Sequence, residues 1–554
     1  MPFRLRNIST IRWVFLLTCA AVAGTALKIY QWYFSRPLWL DEQMVLLNVR
    51  DRALPDLTGQ LWMNQAAPLG WLFLQRGVVT LIGTGDRDVR ALPVLFGIAT
   101  VWVAWWVGRR WMTPVSGALF IVLCGIGQWM VFYPLEAKPY SADAFCALAL
   151  LASGVWAAEA TDEQQRSRIR TLLWWVIASL AQWVSFAATL VTPAAAAVLF
   201  AVTWRRRGWR SAATVAAQGL IWAINFGAHY ALSIRYSSND QFLRTYWASG
   251  FPPADGGVEG AARWLISQGE ALAAHPGGTA LSIAFWLTAL YGIGVMLVGR
   301  PVMGLMVLSV PVTGFLAAIL RVVPFTDRLA LWVAPALYAA ITVAAGDVFS
   351  RAERPRSPAA WAAVAVALVA AVSGWAVCLD IAQKGRERVI IHGSNHGLDD
   401  GRGVRMLMAQ QEPGEVLLTP HFGLPAVWWY GGINTAEPHR GAMMPESGLR
   451  IFEIGHRWFG SRRCGTSTRL TQLSQALAGA TRAKVYLGFD SNMPPGFQQL
   501  VLGDLARLGT RVFYTKVADE GIAAIYDLRQ LPDAEAPPAS QLQGCVGVAP
   551  ARRW

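Results

Sequence analysis

Long apolar runs, each about 20 residues in length, recur through the first two thirds of the chain and are separated by short clusters of arginine. An α-helix needs about 20 apolar residues to cross the hydrocarbon core of a bilayer. The runs therefore predict a polytopic α-helical membrane protein with about eleven spans. We place these spans at about 11–32, 89–108, 114–133, 141–159, 171–186, 188–204, 211–232, 280–299, 301–320, 328–347 and 358–379.

Composition and charge agree with a lipid-embedded chain. Only 15% of the residues are charged and 54% are hydrophobic, whereas soluble domains are about a quarter charged. The formal net charge of +14 would also suit a nucleic-acid partner, but the basic residues lie in short clusters between apolar runs. That distribution is typical of cytoplasmic membrane loops. We therefore expect membrane lipid, and no nucleic acid, among the partners.

The arginine clusters predict the orientation, because positively charged loops stay on the cytoplasmic side. They occupy the N-terminus and alternate loops: Arg4, Arg6 and Arg12; Arg109 and Arg110; Arg166, Arg168 and Arg170; Arg205, Arg206, Arg207 and Arg210; Arg300; and Arg351, Arg354 and Arg356. We expect an uncleaved first span with a cytoplasmic N-terminus. An odd number of spans then places the residues after about 380 outside the plasma (inner) membrane of a bacterial cell.

Two domains follow from this arrangement. Residues 1–382 form the predicted membrane domain, with long outer loops at about 34–88 and 233–279. Residues 383–554 alternate strand-like and helix-like runs, which predicts an extracytoplasmic α/β domain. The strand-like runs are Glu415–Thr419, Lys484–Phe489, Arg511–Val517 and Ile522–Tyr526, and the helix-like runs are Arg402–Gln411 and Phe497–Leu508.

Six cysteines are present, and only Cys464 and Cys545 lie in the predicted external domain. Oxidising compartments favour disulfides, so we expect these two to pair. The alternative is two free thiols that lie far apart.

Charged residues at the outer end of the first spans are candidates for chemistry. Asp41 and Glu42 either begin a solvated helix, since acids favour a helix N-terminus, or supply a general base or metal ligand at the membrane surface. Gln65 is the polar residue of the short segment Gln65-Ala66-Ala67-Pro68, in which the proline opens a predicted helix. Arg90 lies at the predicted headgroup level, as a phosphate-binding group or as a snorkelling anchor.

The short outer loop after the third span places Glu136, Lys138, Tyr140 and Asp143 between two apolar helices. A charge inside the bilayer costs about 2.5–3.5 kcal/mol on insertion scales. These charges therefore need partners or a wet cavity. The simpler alternative is a local Glu136–Lys138 pair at the rim.

Two later outer loops add basic and aromatic groups. Arg321 and Arg328 flank Pro324 against the positive-inside trend, and a guanidinium matches phosphate oxygens. Lipid-headgroup contact explains them equally well. Tyr246 and Trp247 suit stacking on a sugar, but equally suit an interfacial aromatic belt.

Acids, phosphate-binding bases and aromatics on one outer surface are what a polyprenyl-phosphate sugar donor requires. Its lipid lies in the bilayer, its phosphate at the headgroups, and its sugar faces outward. An enzyme then needs a base for the acceptor hydroxyl and positive charge for the departing phosphate. We therefore expect a membrane glycosyltransferase with an extracytoplasmic acceptor. The alternatives are a lipid or glycan transporter (flippase) and a membrane-anchored sensor or assembly protein.

The motif order resembles that of the GT-C glycosyltransferases, in the branch of protein O-mannosyltransferases and aminoarabinose transferases. The similar elements are Asp41-Glu42 after span one, Gln65-Ala66-Ala67-Pro68, Glu136-Ala137-Lys138-Pro139-Tyr140-Ser141, and Pro324-Phe325 with Asp327-Arg328. Together they cover about residues 10–350, and the C-terminal domain lies outside the resemblance.

The resemblance implies a role for each matching residue. Asp41 would be the general base with Glu42 as its companion, and the second-loop acidic role would fall to Glu136 or Asp143. Lys138, Arg321, Arg328 and Arg90 would contact the donor phosphate. Many relatives carry histidine where this chain has Gln65, which places metal dependence in doubt; Asp41 and Glu136 would be the ligands of a divalent ion. Transfer of a furanose such as arabinofuranose to cell-wall polysaccharide is an alternative within the family.

Overall fold

The computed structural model describes residues 5–160, 164–351, 358–390, 399–409, 412–433, 449–455, 465–488, 493–517, 521–529 and 548–550. Within these ranges the chain divides into two compact units. The membrane unit comprises Met1–Ser35, Leu57–Gln60 and Ala66–Ile391, and the sheet unit comprises Arg36–Asp56, Leu61–Gln65 and His392–Trp554. The predicted pair Cys464 and Cys545 lies outside the described residues.

Helices make up most of the described structure. They are α1 (Leu5–Tyr33), α2 (Leu40–Asp51), α3 (Leu69–Leu81), α4 (Ala91–Trp111), α5 (Pro114–Ile126), α6 (Gln128–Phe132), α7 (Tyr140–Ala158), α8 (Gln164–Val184), α9 (Phe186–Arg207), α10 (Trp209–Gln218), α11 (Leu220–His229), α12 (Arg235–Ser238), α13 (Gln241–Tyr246), α14 (Gly257–Ala274), α15 (Ser282–Gly299), α16 (Pro301–Ile319), α17 (Ala334–Arg351), α18 (Pro358–Ile390), α19 (Asp400–Met408), α20 (Leu424–Tyr430), α21 (Thr466–Ala476) and α22 (Phe497–Ala506). A π-helical turn at Tyr230–Ile234 and several 3₁₀ turns, among them Asp327–Val333, join them.

Eight of the described helical segments are long and apolar enough to cross a membrane, or nine if α5 and the segment that follows it count as one bent span. The prediction of a polytopic helical membrane protein is confirmed, but the count of eleven is not. The two predicted spans without a match are 171–186 and 211–232. Helix α8, which contains the first of these, carries three arginines among its first seven residues. The predicted span 211–232 is split at Gly219 into α10 and α11.

The segment Asp327–Asp347, which contains the start of α17, is the most buried of these spans: 89% of its apolar 18-residue stretch lies inside the protein. Small residues allow neighbouring helices to approach it and one another. A Cβ added to Gly292 of α15 would clash with the carbonyl oxygen of Ala340, and Gly24 of α1 lies directly against Gly125 of α5. Since lipid provides little hydrophobic force between helices, such close packing is what holds a membrane bundle together.

The bend between α5 and α6 is 49° and leaves backbone groups without helical partners. Lys28, which is buried in α1, donates from Nζ to the carbonyl oxygen of Met130 in α6 at 2.5 Å. A cation inside a span is costly unless it is paired. The ammonium of Lys28 and the carbonyl oxygen of Met130 therefore satisfy each other's need for a hydrogen-bond partner.

The sheet unit contains a six-stranded mixed sheet of order β4-β5-β3-β1-β2-β6. Its strands are β1 (Glu415–Pro420), β2 (Arg450–Ile454), β3 (Arg482–Leu487), β4 (Thr510–Val517), β5 (Gly521–Asp527) and β6 (Val548–Pro550). Strand β1 is parallel to β2 and β3, whereas the remaining pairs are antiparallel. The predicted C-terminal α/β fold is confirmed. Strands β2 and β6 and helices α20 and α21 were not predicted.

Helix α2 also belongs to the sheet unit, although the sequence placed it in an outer loop of the membrane domain. The reason is its composition: Val45, Leu46, Leu47 and Val49 are fully buried. Leu40 and Met44 form a small apolar cluster with Phe422, which follows β1. A loop helix that is apolar over so much of its surface must be covered.

Candidate functional site

The loop between α6 and α7 carries two buried charges. Glu136 and Lys138 are 4% and 5% exposed, and the Lys138 amide donates to the Glu136 carbonyl oxygen at 2.7 Å in a tight turn. Pro134 and Pro139 restrict this turn, because proline fixes φ. The hydroxyl of Tyr133 lies within electrostatic range of four ionisable side chains: Glu136, Tyr140, Asp327 and Arg328.

Arg328 lies between two aromatic rings of the membrane unit. Its guanidinium carbon is 5.2 Å from the ring centroid of Trp247 and 5.9 Å from that of Tyr140. The loops pair through backbone, since the Phe325 amide donates to the Gly250 carbonyl oxygen at 3.0 Å. The structure therefore brings together three predicted site residues from three separate loops. Flat aromatic rings attract a guanidinium through cation–π contacts and help to fix its position.

A chain of three polar side chains supports this region and was missed by the sequence analysis. The Tyr133 hydroxyl and His275 Nε2 are 2.5 Å apart, and His275 Nδ1 forms an ion pair with Asp327 Oδ1. Trp129 packs edge-on against the imidazole, with ring centroids 3.9 Å apart. Nothing in the sequence around His275 distinguishes it from any other histidine in a loop.

Asp327 has φ of 50°, a left-handed conformation that is uncommon for residues other than glycine and asparagine-like side chains. Such strained residues persist only where their surroundings hold them, and they concentrate at functional sites. Here the ion pair with His275 supplies the restraint. The consequence is a fixed direction for Arg328, the next residue.

Other predicted phosphate ligands have structural partners elsewhere. Arg321 donates from Nη2 to the Pro252 carbonyl oxygen at 2.5 Å, and so joins two outer loops. The buried Arg90 donates from Nη1 to Ser35 Oγ at 2.7 Å near the end of α1. Tyr246 is 61% exposed.

Asp143 acts as a helix cap. Its Oδ1 accepts from Ser185 Oγ at 2.6 Å and from the Ala187 amide at 3.2 Å, at the N-terminus of α9. The first amides of a helix have no helical partner, and a carboxylate is a favourable acceptor for them. The structure thus gives Asp143 a stabilising role at this helix end.

Asp41 and Glu42 occupy the first turn of α2 in the sheet unit. Glu42 is fully buried, and its Oε2 accepts from the Trp39 amide at 2.8 Å, so the side chain caps the first turn of α2. Asp41, in the same turn, is half-buried. Capping accounts for the position of Glu42.

Gln65 links α2 to the turn that lies just before Gln65 in the chain: its Nε2 donates to Sδ of Met44, in α2, at 3.4 Å and to the Met63 carbonyl oxygen at 3.1 Å. Among the described residues, no group of three or more histidine, cysteine, aspartate or glutamate side chains is arranged to hold a metal ion. The prediction of a divalent ion bound by Asp41 and Glu136 remains a prediction.

Comparison with known proteins gives a structural answer only. No protein-family model matches the chain, and no curated protein matches it. Among solved structures, ArnT from Cupriavidus metallidurans bound to undecaprenyl phosphate superimposes with a TM-score of 0.52 at 13% identity, over 93% of this chain and 98% of ArnT. Archaeal oligosaccharyltransferase AglB from Archaeoglobus fulgidus, in complex with an inhibitory peptide and a dolichol-phosphate, gives a TM-score of 0.47 at 11% identity over 96% of this chain and 75% of AglB. The likeness to ArnT shows that this chain has the GT-C fold that its motif order predicted.

Proposed function

We propose that this protein is a membrane glycosyltransferase that moves a sugar from a polyprenyl-phosphate donor to an acceptor hydroxyl outside the cytoplasm. The observation that carries the proposal is Arg328 between Tyr140 and Trp247, beside the buried Glu136–Lys138 turn. It occurs in a chain with the fold of ArnT, a protein that was crystallised with undecaprenyl phosphate.

The chemistry of the membrane unit suits the phosphate of such a donor. Arg328 and Lys138 supply positive charge, and bonds between charged groups and phosphate oxygens are short and strong. As the bond from sugar to phosphate breaks, negative charge grows on the departing phosphate, and fixed cations stabilise that charge. The aromatic ring of Trp247 offers a flat apolar face of the kind that suits a sugar ring. Arg321 and Arg90 would act more weakly, because other contacts hold them.

We propose Asp41 as the general base. The sequence places Asp41 just after the first span, and a carboxylate at the outer surface can accept a proton from an acceptor hydroxyl; Glu42 beside it caps α2. We propose Glu136 for the second acidic role, while Asp143 caps a helix. A divalent ion at Asp41 and Glu136 is a separate prediction, and no step here depends on it.

The first experiment separates the two roles. Asp41→Asn keeps shape but loses the base, so turnover should fall by about 10²–10⁴-fold, while undecaprenyl phosphate still binds. Arg328→Ala should weaken binding of undecaprenyl phosphate by about 10- to 100-fold, because a charge-assisted hydrogen bond contributes about 1.5–3 kcal/mol. Arg263→Ala is the matched control and should change neither quantity, since Arg263 is 75% exposed and pairs with Glu259 on its own helix.

Each outcome decides something. Near-normal turnover of Asp41→Asn would refute that base assignment. Binding of polyprenyl phosphate without sugar transfer, over a panel of pyranosyl and furanosyl donors, would favour a lipid transporter. Transfer from one donor class alone would decide between hexosyl and pentosyl chemistry.

Orientation has its own test. We propose a cytoplasmic N-terminus and an extracytoplasmic sheet unit, from the alternation of arginine-rich loops. In a background without native cysteines, an impermeant thiol reagent added to intact cells should label a cysteine placed near residue 440 and not one placed near residue 207. The reverse pattern would overturn the orientation.

A further inference from the structure

The first turn of α2, which carries Asp41, is fastened to the sheet unit by side chains rather than by apolar contact alone. Gln43 donates from Nε2 to the Leu38 carbonyl oxygen and to Asp400 Oδ2, both at 2.8 Å. The Leu38 amide donates to the Tyr430 hydroxyl at 2.8 Å. Gln43 is therefore held by the Leu38 carbonyl oxygen and by the Asp400 carboxylate, and these two bonds fix the rotation of the first turn about the axis of α2.

The carboxylate that receives Gln43 is itself held from the sheet. Asp400 is fully buried in the first turn of α19, and its Oδ1 accepts from the hydroxyl of Tyr486 in β3. Burial, followed by the negative charge of Asp400, raises the pKa of Tyr486 well above its usual range, so the hydroxyl stays a neutral donor. A continuous polar chain thus runs from Gln43 through Asp400 to the sheet.

The far end of α2 is fastened by Arg50. Its guanidinium donates to the carbonyl oxygens of Trp428 at 3.3 Å, Trp429 at 3.2 Å and Ile433 at 2.6 Å, at and just beyond the C-terminus of α20. It also pairs with Asp51 at 2.6 Å. The last carbonyls of a helix have no helical partner and carry partial negative charge, which makes them good acceptors for arginine.

Docking of an apolar helix needs none of this. The buried faces of Leu46, Leu47 and Val49 would secure α2 by themselves, and a buried polar network adds specificity of position more than stability. We propose that the sheet unit is a positioning platform for Asp41: the Gln43–Asp400–Tyr486 chain sets the rotation of α2, and Arg50 sets its position along the axis. This inference rests on the proposed role of Asp41 as general base, and gives the C-terminal domain its part in the same reaction.

Removal of one hydroxyl tests the proposal. Tyr486→Phe should lower kcat by about 10- to 100-fold, since misplacing a catalytic group by about 1 Å costs rates of that order, and should leave KM for the donor unchanged. Gln43→Met should do the same. Tyr526→Phe is the matched control: Tyr526 is also a buried tyrosine of this sheet, but its hydroxyl donates to the Leu502 carbonyl oxygen at 3.2 Å, away from α2. It should keep normal kcat.

Combination with Asp41→Asn separates positioning from general loss of structure. If Tyr486 acts through Asp41, Tyr486→Phe should have little further effect in an Asp41→Asn enzyme. Equal kcat for Tyr486→Phe and Tyr526→Phe, with Asp41→Asn inactive, would overturn the platform and leave the proposed function intact. Normal turnover of Asp41→Asn would overturn both. Arg50→Lys should recover most of the kcat that Arg50→Met loses, and failure of both variants to change kcat would remove Arg50 from the platform.

Discussion

Lys484 and Glu415 form an ion pair in the middle of the six-stranded sheet, and its disruption offers a stringent test of the structure. Their side chains are 0% and 1% exposed, and Lys484 Nζ lies 2.6 Å from Glu415 Oε2. The Glu412 amide donates to the same carboxylate oxygen at 3.0 Å, while the Arg482 guanidinium is 3.9 Å from the other oxygen. Lys484→Met keeps the length and most of the volume of the side chain and removes the charge.

The expected cost follows from what is left behind. Removal of one partner from a buried pair leaves an uncompensated charge and costs about 3–5 kcal/mol, whereas replacement of both partners by apolar residues is close to neutral. Arg482 recovers little of this loss, since its closer partner is Glu412 at 2.5 Å. At about 1.4 kcal/mol for each factor of ten, Lys484→Met should raise the open population of β1 and β3 by about 100- to 4,000-fold.

Amide hydrogen exchange on the full-length protein in detergent measures that population strand by strand. Protection of β1 and β3 should fall in Lys484→Met and recover in the double variant Glu415→Leu/Lys484→Met. Lys516→Met, at an exposed lysine of β4, should change protection by less than about a factor of three, as surface substitutions usually do. A single variant with wild-type protection, or a double variant less protected than the single one, would refute the reasoning.

Three further experiments have defined outcomes. Asp143→Ala removes the carboxylate that accepts from the Ala187 amide and from Ser185, the N-cap residue of α9, and should cost about 1 kcal/mol of stability. This should appear as a lower thermal midpoint with unchanged binding of undecaprenyl phosphate; weaker binding would return Asp143 to the donor site. Gly292→Ala should lower the thermal midpoint strongly, because its Cβ would meet the backbone of α17, whereas Gly294→Ala has open space and should not; equal midpoints would contradict the packing. Peptide mapping without reductant should find Cys464 linked to Cys545, and two alkylated thiols would exclude the bond.

The spacing of apolar residues was enough to predict the strands and helices in which that spacing is regular. Four of the strands and two helices of the sheet unit lie where alternation and amphipathic spacing placed them, because each is long and flanked by turn residues. Strand β2 has only five residues, two of them charged, and is a strand because it pairs with β1. The split of the predicted span 211–232 at Gly219 reflects tertiary packing, since the Trp175 ring lies against that glycine.

The candidate site was predictable residue by residue but not as an arrangement. Charges placed beside a bilayer are costly, so the sequence alone singles out Lys138 and Arg328 as candidates. The cap that occupies Asp143 depends on Ser185, which is 42 residues away, and no local signal connects the two. His275 likewise meets Tyr133 across 142 residues. Such pairings are set by the fold, and a single sequence does not contain them.

The contacts of α2 also bear on when its first turn becomes ordered during synthesis. Gln43 bonds to a residue 357 positions later, and Leu38 to one 392 positions later. Contacts of such high sequence separation form late, because the intervening chain must first be made and ordered. Until the ribosome has delivered the sheet, the apolar residues of α2 have nothing to cover them and its carboxylate has no fixed direction. On the roles proposed above, a chain truncated before β3 would keep Arg328 and Lys138 for the donor phosphate but would lack an ordered Asp41. Such incomplete copies would bind the lipid carrier without transferring its sugar.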